Sequence, residues 1–122
     1  MIECEGLTKT YGDFVALDNL SLKIERGDTF GFIGPNGAGK TTTMRILSTL
    51  LEPTSGTALV GGISVVENPD EIRKLLGYMP DAFGVYDGMK VWEYLDFFAG
   101  AYRLPKASRS QSINDVLELT EL

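Results

Sequence analysis

The chain contains no histidine and only one cysteine, Cys4. Without an imidazole there is no histidine-based acid–base, nucleophile-activating or metal-ligand arrangement. A single cysteine closes no internal disulfide, and its plainest role is a small apolar side chain in a reducing compartment. No run of 18 or more apolar residues occurs, so no membrane-spanning helix is expected. The opening Met1-Ile2-Glu3-Cys4-Glu5 is acidic and has no apolar h-region, so no secretory signal is expected either. Positive charge is scarce. Eleven basic residues face 17 acidic ones, for a net charge of −6, which argues against a broad nucleic-acid footprint. What remains is ordinary for a globular chain: 122 residues, one domain at most, and 43% hydrophobic residues, enough for a modest core.

Against this background one stretch stands out: Gly34-Pro35-Asn36-Gly37-Ala38-Gly39-Lys40-Thr41-Thr42. It satisfies the phosphate-loop pattern, with Gly34, Gly39, Lys40 and Thr41 at the fixed positions. A triphosphate needs many donors in a small concavity, and backbone N–H groups supply them without bulk. Glycines let the loop turn tightly and approach the phosphates closely. A helix starting at Gly39 or Lys40 aims its free N–H groups and its dipole at the same anion. Lys40 reaches the β- and γ-phosphates, and the Thr41 hydroxyl is placed for Mg2+. The flanks suit the motif. Thr29 to Ile33 is short and apolar and reads as a buried strand. Thr42 to Leu51 carries Met44, Leu47 and Leu51, with Ile46 and Leu50, at helical spacing and reads as a largely buried helix. The plainer alternative is a glycine-rich turn that matches by coincidence.

In chain order, Ile2–Leu7 predicts a short strand, Gly12-Asp13 a turn, and Phe14–Glu25 an alternating strand with Leu20, Leu22 and Ile24 on one face. A second turn at Arg26-Gly27-Asp28 leads toward the loop. Pro53-Thr54-Ser55-Gly56 stops the helix, Thr57–Val60 predicts a strand closed by Gly61-Gly62, and Asp70–Leu76 a short helix with Ile72, Leu75 and Leu76 on one side. Gly77-Tyr78-Met79 is a strand candidate. Seven of the twelve aromatic residues then fall between Phe83 and Tyr102. Val91, Leu95, Phe98 and Tyr102 keep helical spacing, which predicts a helix over Lys90–Ala101. Its aromatic face is either core or a docking surface. Ser108 is placed to cap a last helix reaching about Leu119.

Taken together, Tyr11-Gly12, Ala16-Leu17-Asp18-Asn19-Leu20-Ser21-Leu22, the phosphate loop, Pro53-Thr54-Ser55-Gly56 and Gly77-Tyr78-Met79-Pro80 resemble the nucleotide-binding subunit of ABC transporters, and most closely its exporter branch. The resemblance covers nearly the whole chain. It implies an α/β fold: a P-loop NTPase core with a small antiparallel β unit and the start of a helical subdomain, in an incomplete sheet. Residues 1–81 would form the β unit and phosphate-loop core, and 82–122 the start of the helical subdomain. The cofactors it implies are ATP and Mg2+. Tyr11 would stack on adenine. Lys40, with the amides of Asn36 to Thr42, would hold the phosphates, and Thr41 would bind the metal. Asp81 stands where most of the family carries a glutamine that helps position Mg2+ and water. As a carboxylate it suits the metal and catalytic role, or it simply caps the turn after Pro80. Phe83 to Tyr102 matches the region that meets a membrane-spanning subunit, and a second nucleotide-binding subunit is the other partner. The family resides in the cytoplasm, peripheral at the inner face of the membrane.

The family pattern continues with a signature loop, an apolar strand ending in Asp-Glu, and a switch histidine, and the chain shows none of these. The expectation is therefore an N-terminal fragment that grips phosphate without efficient hydrolysis, with Phe30, Phe32 and Ile33 left at an unpaired edge. Two other readings stay open. A different phosphate-loop enzyme, a kinase or GTPase, is disfavoured by the absence of an Asn-Lys-x-Asp motif and of an arginine-rich lid. A non-enzymatic fragment would dock a membrane partner without nucleotide.

Overall fold

The computed structural model describes residues 1–82 and 84–122. They form two compact units, Met1–Met79 and Pro80–Leu122.

The first unit is built on a β-hairpin. β1 (Ile2–Tyr11) turns at Gly12-Asp13 into β2 (Phe14–Ile24), β3 (Ser55–Val60) pairs with the other edge of β1, and β4 (Ile63–Ser64) closes a tight turn at Gly61-Gly62. The sheet is antiparallel throughout, in the order β2-β1-β3-β4. β1 is longer than the predicted Ile2–Leu7, and the two-residue β4 carries too little pattern to announce itself. One face of the sheet carries Cys4, Leu7, Leu17, Ala58 and Val60. These pack with Ile46 and Leu47 of helix α1 (Lys40–Leu47), with Val65, and with Ile72 of helix α2 (Pro69–Leu75). Burial pushes the Cys4 thiol above its ordinary value, so it stays protonated at neutral pH and serves as an apolar core group. On the opposite face Lys23 bridges Glu25 at 3.1 Å and Glu3 at 3.2 Å, and these bonds raise its pKa.

Four expectations need correction here. Thr29 to Ile33 is not a strand: it takes part in no ladder among the described residues, and Ile33 is 97% exposed. Apolar content marks a buried parallel strand only when neighbours flank it, and the sheet described here runs through other strands. Gly77-Tyr78-Met79 is likewise outside any strand and exposed at Met79. α1 ends at Leu47, short of Leu51. Its end is a Schellman turn in which Leu50 N–H donates to Arg45 O (2.8 Å) and Thr49 N–H to Ile46 O (3.0 Å), with Thr49 at φ +61°. Leu50, past the helix end, and Met44, on the outer side of α1, both lie outside the core, and in α2 Leu75 is exposed while Ile72 is buried.

The second unit is a helix pair, α3 (Val91–Ala101) and α4 (Lys106–Leu119). At the start of α3 the Glu93 carboxylate accepts a bond from Lys90 N–H at 2.9 Å. Its end is another Schellman turn, with Arg103 at φ +58°. Arg109 of α4 ties back to that turn, donating from Nε to Leu104 O at 2.8 Å. α4 starts at Lys106 behind Pro105, not at a Ser108 cap; the Ser108 hydroxyl instead donates to Pro105 O. Pro105 is itself the N-cap residue, and no side chain caps the start of α4. The aromatic face of α3 is mostly exposed within this unit: Trp92, Phe97 and Tyr102 all lie open, and only Ala99 is buried. Phe83, where the predicted docking stretch begins, lies outside the described residues. No helix among the described residues is long and apolar enough to cross a membrane.

Candidate functional site

The phosphate-loop sequence forms the turn that opens α1. Ala38 N–H donates to Pro35 O at 3.3 Å, and Gly39 sits at the helix N-cap with φ +84°. A side chain is excluded at Gly39 twice over, by that φ and by space. A Cβ there would lie 2.9 Å from Leu17 Cδ1 and 3.0 Å from Ala16 O. The helix start is thus seated directly on β2. It is seated at an irregularity: Lys9 pairs with Leu17 and Thr10 with Val15, so Ala16 is an extra residue on β2, a β-bulge. Thr43, fully buried, pins the first turn by donating its hydroxyl to Gly39 O at 2.9 Å. No side chain caps the leading N–H groups of α1, which are left for an acceptor from outside the helix.

Lys40 folds back over its own loop. Its Nζ donates to Gly34 O at 2.7 Å and to Pro35 O at 2.6 Å. A cleft of about 280 Å³ opens beside it, lined by Phe14, Ala16, Asn36, Gly37, Gly39, Lys40, Thr41 and Thr42. Six of the nine loop residues therefore line one concavity. Gly34 and Pro35 hold the lysine instead, and Ala38 packs behind, 3.4 Å from where a Gly34 Cβ would be. The glycine backbone, the uncapped helix start and the ammonium together fit a polyphosphate, and the Thr41 hydroxyl in the same cleft fits a hard cation that keeps most of its ligands from phosphate and water.

Tyr11 stands apart from this group. Tyr11 ends β1, is about half exposed, and carries the Lys9 ammonium 5.1 Å from its ring centroid. It is the register partner of Phe14 but is not itself in the cleft wall. Asp81 is an exposed residue of the second unit. The sequence reading missed Phe14, Ala16 and Thr43. Phe14 and Ala16 stand two apart on β2 and both line the cleft, but nothing local in the sequence tells that the loop folds against that strand. Thr43 had a signal, a hydroxyl four residues after Gly39 at a helix start.

A G-x-x-x-x-G-K-T loop opening a helix is the phosphate-binding turn of the P-loop NTPase class, here beside an open antiparallel sheet. Comparison with known proteins narrows the class. The ABC transporter family model matches residues 17–122. The chain is 42% identical over 118 residues to the probable multidrug ABC transporter ATP-binding protein YbhF of Escherichia coli, covering 97% of this chain and 20% of that protein. It is 38% identical over 115 residues to the doxorubicin resistance ATP-binding protein DrrA of Mycobacterium tuberculosis, covering 93% and 35%. Among solved structures it is similar to the ATP-binding cassette MJ0796 in a dimeric post-hydrolysis state bound to ADP and Pi, with a TM-score of 0.80 and 27% identity, covering all of this chain and 58% of that one. The chain belongs to the ABC transporter family. It spans well under half the length of the two curated relatives.

Proposed function

We propose that the chain binds ATP with Mg2+ as the nucleotide-binding part of an ABC transporter ATPase subunit, which couples ATP hydrolysis to membrane transport. The observation that carries this reading is the convergence, at one cleft, of an uncapped helix start, a glycine loop and the Lys40 ammonium. In this reading the amides from Asn36 to Thr42 and Lys40 hold the phosphates, Thr41 and Asp81 contribute oxygen ligands to the metal, and Tyr11 packs on adenine. The exposed rings of α3 are the contact for a membrane-spanning subunit, and a second nucleotide-binding subunit completes the assembly at the cytoplasmic face of the membrane.

Equilibrium titration of the chain with Mg2+-ATP and with inorganic tripolyphosphate tests the core of the proposal. Charge-assisted hydrogen bonds contribute about 1.5–3 kcal/mol, so Lys40→Ala should weaken both ligands by roughly ten- to a hundredfold. Unchanged affinity in a folded Lys40→Ala chain would sink it. Affinity for tripolyphosphate equal to that for Mg2+-ATP would point to a phosphate grip without a base site.

A further inference from the structure

The cleft has an aromatic wall, and that wall is Phe14. Its ring stands at the mouth of the hairpin, 64% exposed, in the same lining as Lys40 and Thr41. Its position relative to the loop is set by close contacts. A Cβ on the N-cap Gly39 would meet Leu17 Cδ1 at 2.9 Å and Ala16 O at 3.0 Å, so the start of α1 lies close against β2. Phe14 lies two strand residues beyond Ala16, about 7 Å along the chain. From there it lines the cleft on the hairpin side, together with Lys40 and Thr41 of the loop. The partner across the hairpin, Tyr11, has one ring face taken up by Lys9. Phe14 appears in no ring pair or cation contact among the described residues.

We infer that Phe14 is a nucleobase-packing residue of this cleft, sharing aromatic recognition with Tyr11 across the hairpin mouth. The inference rests on the nucleotide-binding reading above and assigns the nucleoside end of that site. A phenyl ring offers a flat apolar face and no hydrogen bond. It therefore adds affinity for any base without choosing between bases, and identity must be read elsewhere.

The test separates the base from the phosphates. Mg2+-ATP and inorganic tripolyphosphate are titrated into the wild-type chain and into Phe14→Ala, Phe14→Leu, Phe14→Tyr and Tyr11→Ala, with far-UV circular dichroism confirming the fold of each. Phe14→Ala should weaken ATP about tenfold, the scale of one base–aromatic stack, and leave tripolyphosphate unchanged. Phe14→Leu keeps apolar bulk without the flat face and should show the same selective loss, whereas Phe14→Tyr should restore binding. Equal weakening of both ligands would make Phe14 a scaffold residue and overturn the inference. So would unchanged ATP affinity in Phe14→Ala and Phe14→Leu while Tyr11→Ala alone loses it. A wild-type chain that binds neither ligand would overturn the nucleotide-binding reading itself, a result distinct from both.

Discussion

Gly56 shows how tightly one residue can be specified. It sits in β3 with φ +82°, and a Cβ on it would fall 2.3 Å from Gly6 O. Gly6 is itself at φ +57°, within an extra residue on β1 between the pairs Cys4–Leu22 and Leu7–Leu20. Two strands therefore approach at a bulge where Gly56 has no room for a side chain, while at Gly6 the left-handed backbone is the main constraint. Left-handed backbone alone costs a non-glycine residue about 1–3 kcal/mol, and the clash adds to it. Gly56→Ala should cost more than Gly62→Ala, where the φ is similar but the Cβ would meet open space. Chemical denaturation of the two variants checks this; equal losses would show that the strands part easily. The same logic applies at Gly39, where φ is +84° and a Cβ would meet Ala16 O at 3.0 Å.

At the scale of elements, helix ends matter most. α1 is only eight residues long and ends in a Schellman turn with a threonine at the left-handed position. A β-branched residue is poorly suited to that region. What holds it is Arg73 of α2, which donates from Nε to Thr49 Oγ1 at 2.9 Å and also approaches Thr49 O. Thr49→Asn should relieve the strain and keep an oxygen for Arg73, raising stability by up to about 1 kcal/mol. A lower melting temperature would show that the threonine methyl packs usefully. This end also shows where the sequence stops being legible. The start of α1 could be read at Gly39 because loop chemistry demands glycine there. Its end could not, because Met44, Leu50 and Leu51 continue the apolar rhythm past a turn held by tertiary contacts. The hairpin of β1 and β2 was legible from Gly12-Asp13 and the alternation through Ile24. The bulge at Ala16 was not, since bulges are settled by what packs across the strand.

Over the whole molecule, exposed apolar surface is the dominant liability. Phe30 and Ile33 lie open on an extended segment outside any ladder among the described residues, and such segments seed pairing between chains. Ile33→Asp should therefore raise the monomer fraction of the 122-residue chain in sedimentation velocity; an unchanged distribution would place self-association elsewhere, and the aromatic rings of α3 would be the next suspects. The net charge of −6 compounds the problem for an anionic ligand, because the global field opposes its approach. The two short bonds from Lys40 to Gly34 O and Pro35 O then take on a thermodynamic meaning. The ammonium is already coordinated by two oxygen dipoles of its own loop, so polyphosphate capture is a ligand-exchange reaction in which incoming oxygens compete with resident ones. The lysine's share of the free energy of capture is the advantage of charged phosphate oxygens over neutral carbonyl dipoles, not the full strength of the new contact.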